Sequence, residues 1–182
     1  MLSLALALSF GQVAAATPAP PPRDSATVIF AGDVVPHGDV LASLRAHGHA
    51  SLLGPVAGVL ARADLAVVNL ETPVVPSRPE SPDGTLRFNA PERMVTALAE
   101  AGVDGVSLAN NHGYDQGTAG ITETIATLRA HRVAVAGASD PSGDPLAPAR
   151  FPIAGATLCV MGVTRILNFE IPRPDPGTPR LA

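Results

Sequence analysis

Hydrophobic and polar positions follow two alternating regimes along most of the chain. Residues 26–31 (ATVIFA) form an unbroken apolar run that ends at Gly32-Asp33, and residues 65–70 (LAVVNL) form a second that ends at Glu71. Residues 103–108 (VDGVSL) and 132–136 (RVAVA) are the third and fourth, ending at Ala109-Asn110-Asn111-His112 and at Gly137. Short apolar runs bounded by turn residues predict buried strands. Helical patterns lie between them: 39–47 and 55–63, separated by a break at Gly54-Pro55, then a helix with Pro91 in its first turn running to Glu100. Asn89 or Ala90 is its candidate cap. The fourth helix, 118–131, carries an apolar stripe of Ile121, Ile125 and Leu128, with Thr118 as candidate cap. Strand and helix in alternation predict an α/β fold built on a mostly parallel sheet covered on both faces.

The remaining stretches are punctuation. Residues 72–88 hold four prolines and a Pro-Asp-Gly turn and predict a long loop, and 139–148 predict another. Residues 149–153 and 156–163 pattern as a β-hairpin around Gly155. At the amino end, the apolar run 2–10 (LSLALALSF) and the small residues Val13-Ala14-Ala15-Ala16 predict an export signal over 1–16. The whole stretch, about 15 residues, falls short of the roughly 20 that span a bilayer. No Arg or Lys precedes it, so an uncleaved anchor and a core helix are the competing readings. Residues 17–25 then read as a Pro-rich spacer, 26–168 as the folded domain, and the proline-rich 169–182 as a disordered tail, or one that folds only against something else.

Composition narrows the function classes. Of the 182 residues, 46% are hydrophobic and 15% charged, which excludes a disordered, highly charged chain. Aromatics are 3%, there is no Trp, and the net charge is −4 without a basic run, all against a nucleic-acid partner. A single cysteine, Cys159, excludes an intrachain disulfide framework and a CxxC zinc site; lying in the apolar run Thr157–Val160, it reads as a core residue.

In an open parallel sheet, ligands bind beyond the carboxyl ends of the strands. Three successive predicted strand ends carry polar side chains there: Asp33 on the first, Asn69 and Glu71 on the second, and Asn110, Asn111 and His112 with Asp115 on the third. Asn69 and Glu71 alternate to the same side of an extended chain. Singly, each has a bland reading: Asp33 as a turn residue, Asn69 bonded to a neighbouring loop, Glu71-Thr72-Pro73 as a strand exit, and the paired asparagines as a turn. Jointly, carboxylate, carboxamide and imidazole make an oxygen/nitrogen donor set suited to Mn, Zn, Fe or Mg. Two such ions held close together would activate a bridging water and clamp a phosphoryl oxygen. His37 follows Asp33 closely enough to approach this site, whereas His47, His49 and His131 read as helix-end residues. A nucleotide-binding reading fails, because Gly32–Gly38 lacks the GxGxxG spacing.

Four segments resemble the CapA capsule-synthesis proteins associated with poly-γ-glutamate, whose domain is similar to the calcineurin-like metallophosphatases. They are Phe30-Ala31-Gly32-Asp33; Asp64 through Asn69-Leu70-Glu71-Thr72-Pro73; Phe88-Asn89-Ala90-Pro91-Glu92; and Gly102-Val103-Asp104 through Asn110-Asn111-His112, Asp115-Gln116-Gly117, Gly120 and Thr124. The resemblance covers about residues 26–168. It implies the amino-terminal half of a metallophosphatase-like sandwich. It also implies Asp33, Asn111 and Glu71, alone or with Asn69, as divalent-metal ligands. His112 would be the catalytic imidazole beside the leaving oxygen, with Asp115 orienting it. Asn110 stands where the metallophosphatase motif has Gly, and Asp115 is displaced by two residues. Family members continue with His-Trp-Gly and Gly-His-His-Pro-His segments that resemble further ligands, and neither occurs in this sequence. The expectation is therefore an incomplete site on the amino-terminal half of a longer protein.

Two function classes follow. One is an exported, metal-dependent hydrolase of the cell envelope, periplasmic or extracellular, acting on a phosphoester or amide bond of an anionic polymer. The other is a non-catalytic component that assembles or tethers such a polymer with partner proteins of the envelope. In either, contact with the membrane itself would come only through an uncleaved signal.

Overall fold

The computed structural model describes residues 24–48, 50–82, 84–168 and 180–182. Four parallel strands, β1 (Val28–Val34), β2 (Leu65–Leu70), β3 (Gly105–Ser107) and β4 (Ala134–Ala136), lie side by side in chain order. The intervening helices are α1 (Asp39–His47), α2 (Ala50–Leu60), α3 (Glu92–Glu100) and α4 (Gly117–Ala130). The α/β fold and the parallel sheet are as the hydrophobic pattern predicts. Among the described residues, no helix is long and apolar enough to cross a membrane. The predicted signal over 1–16 lies outside the described residues.

The core sits between one face of the sheet and the four helices. Ala66, Val68 and Leu70 of β2 and Val106 of β3 meet Leu41 and Leu44 of α1, Met94, Val95 and Leu98 of α3, and Ile121, Ile125 and Leu128 of α4. The opposite face is only partly covered, which corrects the expectation of two buried faces. There, the hairpin β6 (Ala149–Ile153) and β7 (Ala156–Val160) lies over β3 and β4, with the Phe151 ring against Gly105. Over edge strand β1 that face is open, and Phe30 is 64% exposed. A continuous apolar run signals a strand, but it does not say whether both neighbouring layers exist.

Several local expectations are corrected. The break between the first two helices falls at Gly48, whose φ is 76°, not at Gly54-Pro55; Pro55 lies inside α2. Asn89 does not cap α3, because its buried carboxamide accepts from Val75 N–H and donates to the Val75 and Pro79 carbonyls, closing the 72–88 loop. Thr118 does not cap α4 either; Gln116 holds that position without a side-chain bond. Cys159 is exposed rather than buried. In the hairpin, Phe151 pairs with Leu158 and Arg150 with Cys159, so the period of two sends Cys159 to the outer side with Arg150.

The expected tail, 169–182, lies outside the described residues except for its last three. There, β8 (Arg180–Leu181) pairs antiparallel with β5 (Ala138–Ser139), and Ala182 N–H donates to the Gly137 carbonyl at 3.0 Å. The apolar Leu181 side chain gives this short segment something to pack on: its Cδ1 lies against Gly113, where an added Cβ would have no room.

Gly137 is the tightest backbone crossing in this region. Its φ is 75°, and an added Cβ would lie 2.5 Å from the Ala109 Cβ and 3.0 Å from the Gly162 backbone. Gly137→Ala is expected to cost ~2 kcal/mol or more in urea denaturation, since left-handed strain and an unyielding contact add. Gly54→Ala, in α2 with nothing within 4 Å, should instead raise stability by ~0.5–1 kcal/mol.

Candidate functional site at the strand ends

The sheet register aligns the carboxyl ends of three strands. Phe30 pairs with Val67 but Asp33 pairs with Asn69, so β1 carries one extra residue between them. That bulge decides which way Asp33 points. Without it, Asp33 would stand opposite Leu70, whose side chain is in the core. With it, Asp33 shares the side of Asn69, which itself pairs with Ser107 on β3.

A chain of carboxamides joins these ends. Asn69 Nδ2 donates to Asp33 Oδ1 at 2.8 Å, and Asn69 Oδ1 accepts from Asn110 Nδ2 at 3.0 Å. Asn110 Nδ2 also donates to the Leu70 carbonyl at 2.9 Å, and its Oδ1 accepts the His112 N–H at 3.0 Å. Asn69 therefore has both ends of its carboxamide engaged by protein groups, and here it acts as a link between strands. Asn111 points its Nδ2 at Asn168 Oδ1, 3.1 Å away. That is the end a metal does not use, and the carboxamide oxygen is left on the other side.

His112 is held from three directions. Its Nδ1 lies 2.7 Å from Asp115 Oδ2, and Asp115 also accepts the Phe88 N–H at 2.7 Å. The Phe88 ring stacks on the imidazole with centroids 4.2 Å apart, and His37 flanks Phe88 at 5.1 Å. Asn168 Nδ2 stands 3.2 Å from both ring nitrogens. Asp115 is 4% exposed and His112 9%. With Nδ1 committed to Asp115, Nε2 is the nitrogen left to exchange a proton with another group. Asp115 Oδ1 and His37 Nδ1 are buried without a partner in this cluster.

Glu71 faces Asp33. Partial burial, the Asp33 charge and a hydrogen bond shared with Asp33 all push the Glu71 carboxyl above its ordinary value of 4.5; His112 opposes this and Asp115 adds to it. Two facing carboxyl groups whose charges disfavour each other form a donor pair that a divalent cation fits. A wider cage is not present: among the described residues, no three His, Cys, Asp or Glu side chains group as metal ligands. The structure thus brings Asp33, Asn69 and Glu71 together, and next to them His112, Asp115 and Asn111.

Of the other histidines, His49 lies outside the described residues and the rest lie or pair elsewhere. His131 bonds Glu92 at 3.1 Å, and His47 ends α1. Sequence reasoning assigned no role to Phe88 or Asn168, although both touch His112. Phe88 stands beside the Asn-Ala-Pro-Glu segment already singled out, so its position carried a signal. Asn168 carried none: it lies 56 residues from His112 in a stretch without periodicity.

The sequence matches the family model described as bacterial capsule synthesis protein PGA_cap over residues 27–179. No match was found among curated proteins.

The Asp33–Glu71 contact sets a pH dependence. Because the folded state holds the Glu71 proton more tightly than the unfolded state, the pair lowers stability progressively as pH rises from 4.5 through the raised value. In metal-free buffer with chelator, urea midpoints should therefore fall over that window for the wild type and fall less for Glu71→Gln. Parallel curves would show that the two carboxyls do not interact.

Proposed function

The chain belongs to the bacterial capsule synthesis protein family, as a capsule-related protein of the cell envelope, and from that we propose a divalent-metal site acting on an anionic envelope polymer. The observation that carries this reading is the contact between Asp33 and Glu71 beside the His112–Asp115 pair, all at the carboxyl ends of parallel strands. The fold agrees with the α/β architecture of metallophosphatase-like proteins.

In this reading Asp33 and Glu71 hold the cation (Mn, Zn, Fe or Mg), and the Asn111 carboxamide oxygen completes the donors from the third strand. A bound divalent ion supplies Lewis acidity toward a phosphoryl or carbonyl oxygen. Asp115 fixes the His112 tautomer by accepting at Nδ1, so that Nε2 can hold the proton a leaving oxygen needs. Phe88 covers one face of the imidazole and keeps water from it. Glu71 loses its proton on ligation, so metal affinity rises with pH through the Glu71 titration. The substrate bond is a phosphoester or amide of the polymer. The protein acts after export, with residues 1–16 as the signal.

The lack of a third acidic or imidazole ligand among the described residues favours a second reading, a polymer-tethering or assembly component without catalysis. Substitution separates the two. In cells that depend on this protein for surface polymer, Asp33→Ala and His112→Ala should abolish polymer while the chain accumulates normally. Loss of the imidazole should cost ~10²–10⁴-fold in turnover. Undiminished polymer from both variants would establish the assembly reading. In vitro, Mn²⁺ at about a hundred times its Kd should stabilise the wild type by ~2.7 kcal/mol, reversed by chelator and absent in Asp33→Ala.

A further inference from the structure

We propose that Asn168 is a positioning residue that orients Asn111 and His112 together from outside the sheet. It follows β7 on the segment Met161–Asn168 and reaches back across the third strand end. Three contacts tie it there. Its backbone N–H donates to the Asn111 carbonyl at 3.2 Å, its Oδ1 accepts from Asn111 Nδ2 at 3.1 Å, and its Nδ2 stands 3.2 Å from each ring nitrogen of His112.

The chemistry of each partner fixes what these contacts do. Asp115 already accepts at His112 Nδ1, and the Asn168 amide, equally far from both ring nitrogens, lies over the face of the imidazole and not in line with the Nε2 lone pair. The ring is thereby held at its edge by an acceptor and on a face by an amide. On Asn111, an acceptor facing Nδ2 settles which way the carboxamide is turned, and its oxygen is directed away from Asn168. One side chain thus sets the rotation of two others.

The segment that carries Asn168 is itself anchored. Thr164 N–H donates to the Ala182 carbonyl at 2.7 Å, and Leu181 N–H donates to the Tyr114 hydroxyl at 3.2 Å. Leu181 packs on Gly113. The 111–115 turn is therefore gripped at Asn111 and His112 by Asn168, and at Gly113 and Tyr114 by Leu181.

The part of the proposal that concerns a cation rests on the metal reading above; the orientation of the two side chains does not. The test uses the full chain, first metal-free with chelator, by nitrogen-15 NMR. In Asn168→Ala, the His112 ring signals should shift as the amide leaves the imidazole face. The Asn111 side-chain NH₂ should also exchange with water about tenfold faster than in the wild type. Asn168→Asp keeps an acceptor for Asn111 but has no N–H for the ring, so Asn111 should stay protected while the His112 ring signals shift as in Asn168→Ala. Mn²⁺ titration by calorimetry should then show about tenfold weaker binding in Asn168→Ala. Signals and exchange unchanged in Asn168→Ala would overturn the proposal, as would unchanged Mn²⁺ affinity in a chain whose wild type binds. If Asn168→Ala does not fold, Asn168→Asp decides: loss of both contacts, or of neither, overturns it. A wild type that binds no Mn²⁺ would remove the metal reading, and the NMR comparison would still decide the role of Asn168.

Discussion

The carboxamide of Asn110 is the joint on which the strand-end site depends. It is buried, and its three hydrogen bonds join two backbone segments: Asn69 and Leu70 at the end of β2, and its own turn through the His112 N–H. A carboxamide suits this work because it donates and accepts within one planar group. Deleting it would strand a carbonyl, a side-chain oxygen and an amide, at ~1–3 kcal/mol for each that remains buried without a partner. In the metallophosphatase motif that the third strand end resembles, glycine occupies this position. Here the added side chain couples the strand that delivers Glu71 to the turn that delivers His112.

The two ends of the sheet divide the tasks of stability and chemistry. At the amino ends, Asp64 accepts the Thr27 N–H at 2.9 Å and Asp104 accepts the Ala66 N–H at 2.8 Å. These acids finish the ladders where each strand begins. At the carboxyl ends, comparable side chains are turned toward one another instead, and the backbone is irregular: a bulge in β1 and consecutive turns from Asn110 to Gly117. Acidic residues of both kinds occur in the segments that resemble capsule-synthesis proteins. A shared motif therefore marks the frame of the sheet as well as its site.

What could be read from the sequence was local, and what could not was distant or steric. β2 spans the residues its apolar run predicts, because a run bounded by Asp64 and Glu71 leaves no other register. β1 extends past its apolar run, since a bulge depends on pairing with β2 and leaves no mark in hydrophobicity. Asn89 looked like a helix cap because it precedes Ala90-Pro91; its carboxamide closes a loop instead, a choice made by Val75 and Pro79 ten or more positions upstream. The strand-end clustering of Asp33, Asn69, Glu71 and His112 followed from parallel topology alone. The groups that hold His112, Phe88 and Asn168, arrive from a long loop and from beyond the hairpin, where no periodicity reports on contact.

Charge is answered differently in the two halves of this small region, and the difference says where a cation is favourable. Asp115 is the more buried acid, yet it has the Phe88 N–H and the His112 ring on one oxygen. Its negative charge is balanced by protein groups, and it serves to hold the imidazole. Asp33 has the Asn69 amide, but it also faces Glu71, and the protein supplies no positive group between them among the contacts described. The mismatch raises the Glu71 carboxyl, and a cation with two charges would satisfy both carboxylates at once. The same geometry that raises the Glu71 carboxyl thus marks the side of the site from which a metal, rather than a base, would act.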